Sequence, residues 1–145
     1  MRSPLVDILC APLPAPAVPS GGDDSVASSV RAVLLGGRGE LRAVERRQLP
    51  RFPYPYPVHL TPLDSADRPI LDETIVVVGK LISEQGLDFY YRDPIAFRRA
   101  IASLELDGSR WIGLLLDLTW TRFSRHGWYE NGGRFLAVCD SPLGA

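Results

Sequence analysis

Arginines crowd one short stretch of this chain, where Arg42, Arg46, Arg47 and Arg51 fall between Glu40 and Phe52. A guanidinium keeps its charge at any physiological pH and presents a planar fork of donors. It can therefore clamp a phosphate or the O6 and N7 edge of a guanine, and it can also stack on a flat base. Arg47 and Arg51 stand four positions apart just before a proline-rich run, so on an extended segment their forks can engage separate groups. Further along comes Leu81-Ile82-Ser83-Glu84-Gln85-Gly86. Here Ser83 offers a hydroxyl, and Gly86 the backbone freedom that a turn requires.

Catalysis finds no comparable set. His59 and His126 are the only histidines, and neither has metal-ligand spacing or a nucleophile nearby in sequence. Gly36-Gly37-Arg38-Gly39 lacks the Lys-Ser/Thr ending of a phosphate-cradling loop. The expectation is a protein that is not an enzyme and holds no cofactor. Cys10 and Cys139 lie near opposite ends and read as incidental thiols of a reducing compartment.

The 145 residues are 46% hydrophobic and 23% charged, enough apolar surface for a packed core. A net charge of -1 provides no broad field for nucleic acid or an anionic membrane, so anion recognition must be local. No apolar run approaches the roughly 18 residues of a spanning helix. The apolar stretch at residues 5–11 is interrupted by Asp7 and flanked by prolines, unlike a secretory signal. These features predict a cytoplasmic protein with no DNA, RNA or membrane partner.

The elements that must position these groups follow from pattern. Residues 1–23 read as a flexible Pro/Ala-rich tail and residues 24–44 as a short helix and linker. Asp24 is the expected N-cap, with Val26, Val30, Val33 and Leu34 at helical spacing and Gly36-Gly37 ending the run. Residues 45–140 read as one β domain. Phe52-Pro53-Tyr54-Pro55-Tyr56-Pro57 predicts an edge strand, since its prolines remove donors from one side only. Residues 70–82 predict a buried strand with a bulge at Gly79, a turn tipped by Glu84-Gln85, and a return over residues 87–91. A short helical turn after Asp93-Pro94 is expected to lead into a strand from about Arg99. Asp107-Gly108 then signals a hairpin into a strand with Ile112, Leu114, Leu116, Leu118 and Trp120 on one face. Residues 124–127, rather than Asn131-Gly132, are assigned the last turn, before a strand within residues 128–139. Six strands with short connections predict a small antiparallel barrel, an all-β fold.

Arg47 and Arg51, followed in order by Ser83 and Gly86, resemble PilZ domains. Members that bind cyclic di-GMP carry RxxxR on the segment entering the barrel and (Asp/Asn)xSxxG at a later hairpin. The likeness runs from about Glu45 to Val138 and includes a similar closing strand, Gly132-Gly133-Arg134-Phe135-Leu136. It implies a six-stranded PilZ-like barrel and cyclic di-GMP as ligand, held by Arg46, Arg47, Arg51, Ser83 and Gly86. It also implies a role in bacterial second-messenger signalling through an unidentified protein partner. Leu81 departs from the pattern, because an aliphatic side chain cannot accept guanine N–H groups. On the scale of one base-edge pair the loss is about 1–3 kcal/mol, with Glu84 or Asp88 as substitute acceptors. The alternative is a PilZ-like interaction module that binds no nucleotide. Plainer readings stand beside these: a solvated basic segment balanced by Glu40 and Glu45, an ordinary Ser-Gly turn, and core packing for the aromatic groups at residues 52–56 and 89–91.

Overall fold

The computed structural model describes residues 20–35 and 50–144. Alternating patterns build β1 (Phe52–Pro53), β2 (Pro57–Pro62), β3 (Ile75–Ile82), β4 (Gly86–Tyr91), β5 (Arg99–Asp107), β6 (Arg110–Phe123) and β7 (Tyr129–Cys139). The strands β3, β2, β5, β6, β7 and β4 pair antiparallel in that order, and β4 returns to β3, so six strands close into a barrel. The extra strand, β1, lies along the end of β3. The expected all-β fold with a six-stranded antiparallel barrel is what the chain forms.

Alternation sends Val58, Leu60, Val77, Leu87, Phe89, Leu104, Leu114 and Leu116 inward, where all are buried. Each large aliphatic side chain removed from water contributes about 1.5–3 kcal/mol before entropy is counted. Helix α1 (Ser20–Leu35) lays Val26, Val30, Val33 and Leu34 onto the same core, packed against β5, β6 and β7. Their i, i+4, i+7, i+8 spacing makes one stripe. A smaller cluster of Ile101, Leu115, Ala137 and Cys139 forms on the opposite face of β5–β7.

Several boundaries differ from the sequence expectation. The helix begins at Ser20, a turn ahead of Asp24, so Asp24 is inside it rather than capping it. Only residues 52–53 of the proline-rich run pair as a strand, and the barrel strand expected there lies at Pro57–Pro62, bounded by prolines where no inner donor is needed. Tyr54 N–H still donates to the Lys80 carbonyl at 2.9 Å, and Gly79 N–H to Tyr56 at 2.9 Å. Tyr54 is buried in the core, so this aromatic run packs inward rather than forming a stacking platform. Residues 71–73 form a 3-10 turn, which delays β3 to Ile75. The segment after Asp93 is irregular, without the expected helical turn. The bulge beside Gly79, the Asp107-Gly108 hairpin and the turn before Tyr129 stand as expected.

Candidate functional site

The Ser83 turn is built from its own atoms. Ser83 N–H donates to the Gly86 carbonyl at 2.9 Å, and Ser83 Oγ accepts from the N–H groups of Gln85 and Gly86 at 3.1 and 3.2 Å. An oxygen that accepts twice still carries its own O–H, which remains a donor. Phe135 N–H donates to the Gln85 carbonyl at 2.7 Å and fixes the turn to β7. Gly86 is a glycine for a packing reason: a Cβ there would lie 2.3 Å from the Gly133 carbonyl oxygen. The turn thus satisfies its own geometry and presents a rigid edge.

Arg51 reaches this edge through β1. Phe52 pairs with Ile82 and Pro53 with Leu81, which brings Arg51 level with Ser83. Its Nη1 lies 3.5 Å from Asp88 Oδ2. Asp88 is the direct cross-strand partner of Leu81, so both side chains leave the same face of the hairpin. The row continues outward across the wall, from Asp88 to Gly132 on β7 and to Trp120 on β6. Trp120 lies flat across Gly132, whose absent Cβ would sit 2.1 Å from the indole Nε1.

A cleft of about 610 Å³ opens over this row, lined by Arg51, Leu81, Ser83, Gly86, Asp88, Trp120 and Arg134. It offers two guanidinium groups, one carboxylate, the hydroxyls of Ser83 and Thr119 and an aromatic surface, a set suited to an anionic ligand with flat rings. Volume and mixed lining are those of small-molecule sites. Of the residues anticipated from sequence, Arg51, Ser83 and Gly86 converge here, while Arg46 and Arg47 lie outside the described residues. Trp120 had no motif to mark it, and Arg134 stood in the closing-strand likeness without an assigned role. Their placement depends on the pairing of β4, β6 and β7 and on a register shift between Leu118 and Trp120.

Two ion-pair systems frame the cleft. On one side Arg31 of α1 donates to Glu84 at the hairpin tip, Nε to Oε2 at 2.9 Å. Beyond Trp120, Glu130 is buried and receives both Lys80 and Arg122, the latter at 2.7 Å. Burial pushes the Glu130 carboxyl up, but hydrogen bonds from Arg122 and Lys80 outweigh it and hold the group below its ordinary value. Lys80 is raised, chiefly by its hydrogen bond to Glu130. His59 packs edge-on to Trp111 with ring centroids 5.1 Å apart, and His126 sits in the turn before β7, so the histidines do not meet. Among the described residues no helix is long and apolar enough to cross a membrane.

No family model matches the chain. Curated protein sequences also give no match. Solved structures do. The inhibitor of motility MotI/DgrA of Bacillus subtilis is similar with a TM-score of 0.51 at 16% identity, over 70% of this chain and 48% of that one. MrkH, described as a c-di-GMP-dependent transcription regulatory factor, is similar with a TM-score of 0.42 at 17% identity, over 65% of this chain and 45% of its own. The chain spans about half the length of these proteins. At such identity the likeness to MotI/DgrA is one of fold.

Proposed function

We propose that this chain is a cyclic di-GMP receptor of bacterial second-messenger signalling, working in the cytoplasm through a protein partner and without catalysis. The observation that carries the reading is the convergence of Arg51 and the Ser83–Gly86 turn on one cleft, although they are more than thirty residues apart in sequence. Arg51, with Arg46 and Arg47 from the preceding segment, grips phosphates and guanine edges. The Ser83 hydroxyl donates to the ligand, and Trp120 supports a base. Asp88 supplies the acceptor that Leu81 lacks, from the same face of the same hairpin.

Signal output follows from connectivity. The arginine segment joins α1 to β1, and α1 is tied to the cleft through Arg31 and Glu84. Drawing the arginines onto a ligand therefore biases the position of the helix and what it offers a partner. Leu81 favours the second reading, an interaction module that has lost the nucleotide. Displacement of a fluorescent cyclic di-GMP separates the two. The receptor reading expects unlabelled cyclic di-GMP to compete, GTP to compete poorly, and Arg51→Ala to abolish binding. Absence of any binding to the whole chain leaves the module.

A further inference from the structure

A second concavity lies on the same outer wall, one row beyond Trp120. Val78 pairs with Tyr90, Tyr90 with Glu130, and Glu130 with Arg122, so this row faces outward across β3, β4, β7 and β6. At its end Val78, Tyr90, His126 and Trp128 line a slot of about 250 Å³. A broader hollow of about 670 Å³ shares Tyr90 and His126 with it and adds Phe123, Arg122 and Arg125. Apolar exposure gathers around the slot: Phe123 is 62% exposed, Val76 52%, Val78 45% and Trp128 41%. Large apolar side chains kept in water around a concavity mark interaction sites.

The exposed charge of the hollow is basic, and Glu130, the one carboxylate in its lining, is buried. Arg122 and Arg125 are exposed. Glu130 is buried beneath Lys80 and Arg122, and Asp93 beyond β4 is matched by Arg92 at 3.7 Å. The wall is therefore basic around an apolar centre in a chain whose net charge is -1.

We propose that this wall docks an acidic segment of a partner protein. One bulky apolar side chain of that segment seats between Val78 and Trp128, and its carboxylates face Arg122 and Arg125. Tryptophan, tyrosine and arginine around a desolvated centre are the composition of protein–protein hot spots. A nucleic acid needs cations aligned along a phosphate track, whereas the exposed arginines of this hollow, Arg122 and Arg125, border an apolar slot. A lipid surface takes a protruding apolar face rather than a slot. The inference stands without a nucleotide in the cleft, yet the two sites touch: the Arg122 guanidinium lies 5.8 Å over the Trp120 ring that lines the cleft.

Panning a displayed random-peptide library against the whole chain tests this. Enriched peptides are expected to carry several carboxylates around one aromatic or branched aliphatic residue. Val78→Asp and Arg125→Glu should each weaken the selected peptide at least about tenfold, a change of about 1.4 kcal/mol. Leu71→Ser, at an exposed apolar residue outside this wall, should leave it unchanged, and circular dichroism checks that all three variants fold. No enrichment, a consensus without acidic residues, or unchanged affinity in both wall variants overturns the proposal. Self-association abolished by Val78→Asp also overturns it, as does displacement of the peptide by phosphatidylglycerol vesicles or a single-stranded oligonucleotide.

Discussion

Asp88 and Leu81 share one cross-strand pair, and on the receptor reading the carboxylate has moved from one member of the pair to the other. A carboxylate accepts the N1–H and N2–H of guanine together, whereas adenine offers it no such pair of donors. Asp88→Asn is therefore expected to weaken cyclic di-GMP by about 1–3 kcal/mol, roughly ten- to a hundredfold. It should also narrow the preference over cyclic di-AMP, and adding Leu81→Asp should restore that preference. Competition titrations with both dinucleotides measure it, and an unchanged preference in Asp88→Asn removes Asp88 from the site. Gly86→Ala carries a different expectation, because its methyl would press on the Gly133 carbonyl. Overpacking of this kind costs about 1–3 kcal/mol, read as a lower urea midpoint. Sequence exposed the side-chain chemistry of Arg51, Ser83 and Gly86, but the reason Gly86 is glycine belongs to a strand forty-seven positions away.

At the scale of elements, the β3–β4 hairpin and its neighbours hold the cleft open, and Glu130 ties three of them together. Its folded pKa lies below the ordinary 4.5, so its stabilisation is present above that value and lost as pH falls through the folded value. Lys80 is raised above 10.5, so its share is present below that value and lost as pH rises through the folded value. Glu130→Gln should cost about 1–2 kcal/mol at neutral pH, the low end for charged hydrogen bonds because Arg122 is exposed. The acid limb of the stability curve should flatten with it, and denaturant unfolding at neutral and acidic pH checks both. Strands with strong alternation or a two-residue turn, such as β6 with its Asp107-Gly108 hairpin, were legible from pattern alone. The strand β2 was not, since the prolines of residues 52–57 read locally as an edge strand, while the paired strand starts at Pro57 and is central. The helix start was equally hidden, because Gly21-Gly22 has poor helix propensity and yet lies inside the helix.

Across the whole molecule, a near-neutral chain gathers its recognition chemistry on one wall of a closed barrel, with an acceptor, cations and an indole in adjoining rows. Closure lets a small domain carry a preformed cleft, and on the receptor reading the arginine segment before β1 is what ligand recruits. Ligand at a hundred times its Kd should then stabilise the chain by about 2.7 kcal/mol, seen as a rise in Tm. Arg51→Ala should remove that rise. The most direct measurement is isothermal titration of cyclic di-GMP into the whole chain, with Arg51→Ala and Arg47→Ala beside it. Saturable binding at micromolar Kd or tighter, abolished by each substitution, is the expected result. No heat at high ligand concentration, or binding indifferent to Arg51, would contradict it.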